Sequence, residues 1–144
     1  MRTVIAFILA IVVATLAGTV VSTQDVLARL AELGAPVSLS ERLTMTAQEF
    51  VGMGPAYGIV MTLAFLIAFT VAWLVIRMAP PLRLAGYALA GAAAVAIALQ
   101  AMIAVFGTVP IAGARDIYGF SAMVAGGALA GLAFALVSAQ RAAD

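Results

Sequence analysis

Four long apolar runs, broken by short polar interruptions, set the plan of this chain. Residues 3–21, 57–76, 84–107 and 117–140 each approach or exceed the roughly 20 residues needed to cross a bilayer core as a helix. None holds an Asp, Glu, Lys, Arg or His. The pattern predicts an all-α protein: a polytopic, four-transmembrane-helix bundle forming a single membrane unit over 1–144. Arg2 followed by an apolar run also has the outline of a signal peptide. No small-x-small cleavage site follows Val21, so the first run is read as a retained span.

The connections differ in length. "RMAPPLR" joins the second and third spans, and Pro80–Pro81 stops one helix and stiffens the turn. "VPIAGARDIYGF" joins the third and fourth, with Pro110 and Gly113 in a short turn. The first connection, 22–56, is the only sizeable polar region. In it Val26, Leu27, Leu30 and Leu33 recur at helical spacing before Gly34 and Pro36, and Ser38-x-x-Glu41 has capping-box spacing. Leu39, Leu43, Ala47, Phe50 and Val51 then share one face before Gly52, Gly54 and Pro55. The region is expected to form two short amphipathic helices in an extracytoplasmic loop, either lying on the membrane or the bundle's outer end, or docking a partner.

Within the spans, small residues repeat every four positions. Ala6, Ala10, Ala14 and Gly18 do so in the first, and Ala64, Ala68 and Ala72 in the second. In lipid such ladders let helices approach closely. The fourth span carries Gly119, Ala122, Gly126, Ala130 and Ala133 along one face and Gly127-x-x-x-Gly131 along an adjoining one. One face serves the bundle; the second could serve a homo-oligomer or partner helix. In the third span Leu84, Tyr87, Val95, Leu99, Met102 and Phe106 cluster opposite Gly86, Ala90, Ala93 and Ala104. The large side chains are expected to face lipid, and the small ones the other helices.

Composition sharpens this picture by what it excludes. The chain is 66% hydrophobic and 9% charged, where soluble domains run at about 45–50% and about 25%. Its mean hydropathy is +1.22. A net charge of +1 without any Lys offers no basic patch, so no nucleic-acid partner is expected. Without Cys there is no thiol or Cys-ligated chemistry, and without His the usual haem ligand and proton shuttle are missing. No cofactor, metal or catalytic residue is assigned. The partners expected are the lipid bilayer and either a membrane protein or a second copy of the chain.

Arginine placement orients the chain. With both termini cytoplasmic, Arg2, Arg77, Arg83 and Arg141 lie inside, against Arg29, Arg42 and Arg115 outside. Three polar features remain. Gln100 is expected to hydrogen-bond across helices to Thr62, Thr70 or Ser121, or to contact a ligand. Asp116 is placed to cap the fourth span. Arg115 is expected to pair with Glu49, with another acid of the first loop, or with a lipid phosphate, latching 22–56 over the bundle.

"ERLTMT", "GMGPAYG" and "VPIAGARDIYGF" as a set resemble small, uncharacterised four-helix inner-membrane proteins of proteobacteria. The resemblance implies a bacterial inner-membrane location and carries over no activity or site residue. The functional expectation is a non-catalytic accessory or assembly subunit of a larger membrane complex. The alternative is a small oligomeric transporter or hydrophobic-ligand-binding membrane protein. An enzyme acting on lipid-soluble substrates would have to use Arg115, Asp116 and the interfacial acids.

Overall fold

The computed structural model describes residues 1–35, 37–107 and 111–139. Pro36, Pro110 and Arg141, the end of the fourth span at Gln140, and the side chain of Phe106 lie outside the described residues. Those described are all-helical, without strands. They form α1 (Arg2–Glu32), α2 (Leu39–Gly52), α3 (Gly54–Ile76), α4 (Arg83–Phe106) and α5 (Ile117–Ala139). Short 3₁₀ turns, Pro80–Leu82 and Ala112–Ala114, precede α4 and α5. α1, α3, α4 and α5 are each long and apolar enough to cross a membrane.

α1 corrects one expectation. The segment after Val21 forms no separate amphipathic helix; it continues the first span as a single 31-residue helix. Nothing before Gly34 breaks it. The Thr19 and Thr23 hydroxyls bond back to the carbonyls of Thr15 and Thr19, at 2.8 and 2.9 Å. Arg29 pairs with Asp25 one turn earlier, at 2.9 Å. Gly34 then takes a left-handed φ of 81°, with its N–H on the Ala31 carbonyl and the Ala35 N–H on that of Leu30.

α5 packs on both α1 and α4, and α3 closes the ring between them. Adjacent glycines of α5 serve different neighbours. A Cβ on Gly126 would stand 2.6 Å from the Ala17 Cβ of α1. One on Gly127 would stand 2.5 Å from the Gly91 carbonyl oxygen of α4, and one on Gly131 would collide with the Tyr87 carbonyl. The Ala6, Ala10 and Ala14 ladder of α1 is buried. Phe69 is the aromatic hub. It stacks on Phe65 and Phe134 at 4.9 and 4.6 Å, and meets Phe7 and Tyr87 edge-on.

α4 corrects a second expectation. Tyr87, Val95 and Leu99 of its large face point into the core, buried to 5%, 0% and 2% exposure, whereas Ala93 and Ala104 of its small face are exposed. The contact of Gly91 with Gly127 sets the rotation of α4. It presses the two backbones together at one point, and the larger neighbours on the same stripe fill the gaps on either side.

Candidate functional site

At the end of the bundle where α1 rises past the other helices, polar side chains converge. Continuation of α1 brings Ser22 and Thr23 opposite α2, and both are buried. The Ser22 hydroxyl donates to the Glu49 carboxylate at 2.6 Å, and the single Thr23 hydroxyl proton is shared between that carboxylate, also at 2.6 Å, and the Thr19 carbonyl. Arg42 of α2 donates to the Gln24 side chain at 3.4 Å and to the Val37 carbonyl at 3.3 Å. The start of α2 is closed by the anticipated capping box. The Ser38 N–H and hydroxyl donate to Glu41 at 2.8 and 2.7 Å, and the Glu41 N–H donates to the Ser38 oxygen. These bonds, from the Ser38 side chain first and its backbone second, hold the Glu41 carboxyl below its usual range.

The turn before α5 meets the same end of α1. Gly113 lies against Ser22 so closely that a Cβ would come within 2.7 Å of the Ser22 Cα. Ile111, Gly113 and Ala114 are buried there. Asp116 accepts the Gly119 N–H at 2.6 Å, which caps α5. Its other oxygen takes a 3.4 Å contact from Arg29, so Arg29 bridges Asp25 and Asp116.

The structure therefore brings Glu49 and Asp116 to the same helix, α1, through partners the sequence reading did not single out. Arg115 does not join them. It is exposed, and among the described residues its guanidinium makes no ion pair. The expected Arg115–Glu49 pair is replaced by Ser22–Glu49–Thr23 on one side and Arg29–Asp116 on the other. The four-residue spacing of Thr15, Thr19 and Thr23 was the available signal that α1 carries a hydroxyl-bearing stripe past the end of the apolar run.

Gln100 is not buried. It lies exposed on α4 with no hydrogen-bond partner among the described residues. Thr62, Thr70 and Ser121 spend their hydroxyls on carbonyls one turn back in their own helices, at 2.6–2.7 Å. The expected interhelical bonds are thus not formed, and the hydroxyls are satisfied locally. Thr15 differs: it is 5% exposed, and its hydroxyl has no partner among the described residues.

Of the α5 face, Gly126, Gly127, Ala130 and Gly131 are buried between α1 and α4, Gly119 lies against Gly113, and Ala122 is exposed. Both glycine faces are therefore occupied inside the bundle. The open face lies elsewhere, between α3 and α4. A groove of about 750 Å³ runs there along residues 60–76 and 86–105. Ala64, Ala68, Ala72, Gly86, Ala90 and Ala94 form its floor, and exposed Leu63, Ile67, Leu89 and Ile97 form its rims. At 1.5 Å per residue the two walls are about 24 and about 28 Å long.

Chemically, the polar end fastens α2 and the turn before α5 to α1. Among the described residues no three His, Cys, Asp or Glu side chains gather as a metal site. The opposite end carries Arg77 against Trp73, and Arg83 over Tyr87 with a 2.7 Å bond to Ser138. No family model matches this chain, and neither the curated proteins nor the solved structures contain a significant match to it.

Proposed function

We propose that this chain is a non-catalytic integral protein of the bacterial inner membrane, serving as an accessory or assembly subunit that binds a partner's membrane helix in the α3–α4 groove. The groove carries this reading. Its floor is built of alanine and glycine, which permit close backbone approach in lipid. Its walls run nearly the full hydrocarbon thickness of about 30 Å, the length of a spanning helix and about twice the depth of one leaflet. Both termini are assigned to the cytoplasm. Four arginines support this, Arg2, Arg77, Arg83 and Arg141, against Arg29, Arg42 and Arg115 in the connections assigned to the other side.

A hydrophobic-ligand-binding role is the second reading, and the same groove favours it. A transport role needs a polar path. Phe65, Phe69, Tyr87 and Phe134 fill the bundle between the helices, and Gln100 lies outside it. An enzymatic role needs polar groups converging near Arg115, which is exposed and makes no ion pair among the described residues.

The test is mild solubilisation of the tagged chain from its native membrane, comparing wild type with Ala68→Trp and Ala90→Trp. Stoichiometric co-purification of one membrane complex, lost on plugging the groove while the bundle still folds, is the expected result. Recovery of self-associated chain alone overturns the subunit reading.

A further inference from the structure

α2 has three sides. Arg42, Thr46, Glu49 and Met53 turn toward the bundle and are half-buried. Leu39, Leu43, Ala47, Phe50 and Val51 occupy an adjoining side, and all five are exposed. Glu41, Thr44 and Gln48 make up a third side, also exposed. A helix packed on a protein in water turns its apolar stripe inward. Here the attachment is polar, through Glu49 on Ser22 and Thr23, and the apolar stripe is left open.

We infer that α2 lies flat in the membrane–water interface, with Leu39, Leu43, Ala47, Phe50 and Val51 immersed among the acyl chains of the outer leaflet and Glu41, Thr44 and Gln48 in water. This rests on the membrane reading above and extends it to a segment outside the four spans. Three observations make lipid the occupant of the open stripe. α2 meets α3 at Met53 without a linker: the Met53 N–H bonds to Glu49 and the Tyr57 N–H to Met53. The end of α2 is thereby held where the apolar run of α3 begins. Phe50 and Val51 also form one wall of an apolar cleft of about 420 Å³ whose other walls are Ile11 and Val12 of α1 and Pro55 of α3. That cleft makes the stripe continuous with the outer surface of two spanning helices. Finally, the polar side adjoins the stripe, as an interfacial helix requires.

The chain has no Cys, so single-cysteine variants can be labelled without altering any native thiol. Nitroxides at Leu43, Val51, Thr44 and Gln48, with Leu66 of α3 as the spanning control, are measured in phosphatidylethanolamine–phosphatidylglycerol vesicles. Power saturation compares collisions with oxygen, which partitions into lipid, and with a water-soluble nickel chelate. The oxygen-to-nickel ratio at Leu43 and Val51 should be several-fold above that at Thr44 and Gln48, and should approach that of Leu66. Equal nickel access at all four α2 positions overturns the proposal. So does shielding of Leu43 and Val51 from both reagents, which would mean that protein covers the stripe. Nickel access at Leu66 would overturn the membrane reading itself, and the α2 placement with it.

Discussion

Gly91 of α4 and Gly127 of α5 face each other so closely that neither can carry a side chain: a Cβ on Gly91 would strike the Gly127 carbonyl, and one on Gly127 the Gly91 carbonyl. The contact lies in backbone, which has no rotamer with which to yield. Gly91→Ala and Gly127→Ala should therefore each destabilise the bundle by about 1–3 kcal/mol, the usual cost of overpacking. Gly52, with open space around it and an ordinary φ, is the control. Gly52→Ala should leave stability unchanged or slightly raised. Thermal unfolding in one detergent, followed by helical circular dichroism, checks all three.

Neighbours in sequence should separate in their effects at the turn before α5. Asp116 caps the helix and meets Arg29, whereas Arg115 is exposed and makes no ion pair among the described residues. Asp116→Ala should cost about 0.5–2 kcal/mol, as loss of an N-cap does. Arg115→Ala should stay within about 0.5 kcal/mol, as exposed substitutions do. Equal losses in the two variants would show that Arg115 has a structural role the geometry does not give it.

The capping box of α2 should impose an acid limit on that helix. Glu41 has a folded pKa lowered from its ordinary 4.5 by the Ser38 bonds. The carboxylate's contribution is then complete above the unfolded value and lost as pH falls through the lowered folded one. The first turn of α2 should fray on acidification through that window while the four long helices persist. A carbon-detected NMR titration of Glu41 reads this directly. Ser38→Ala removes the hydroxyl bond and keeps the backbone one, so it should return the midpoint part of the way toward the ordinary value and shrink the pH-dependent step.

Thr15 offers a gain rather than a loss. Its buried hydroxyl makes no bond among the described residues, and an unsatisfied buried group costs about 1–3 kcal/mol. Thr15→Val keeps the shape and removes the oxygen. The variant should unfold at a higher temperature than the parent, and a fall in that temperature would mean that the hydroxyl has a partner.

The periodic parts of this architecture were legible in advance. The four apolar runs and the Ala6, Ala10, Ala14 ladder follow from spacing alone, and the Ser38–Glu41 box is written in four consecutive residues. What could not be read was how segments meet. Glu49 and its partners are 26 and 27 residues apart, and they come within reach only because α1 does not stop at Val21. Side-chain size misled in α4. Tyr87, Val95 and Leu99 sort with the large face, yet the inward direction is chosen by Gly91 on the same stripe. One glycine contact between helices outweighs the average size of a face, and no one-dimensional pattern records which glycine will meet which.

The unbroken course of α1 has a mechanical consequence. At 1.5 Å per residue its 31 residues extend about 46 Å, which on the proposed membrane placement outruns a hydrocarbon core of about 30 Å. Roughly the last third is thus a stiff mast standing beyond the other spans. Glu49 fastens α2 to it through Ser22 and Thr23, and Asp116 leans α5 on it through Arg29. A tilt imposed on the Arg2 end would be carried along one rod, with no hinge to absorb it, and delivered as a lateral sweep to both attachments on the far side.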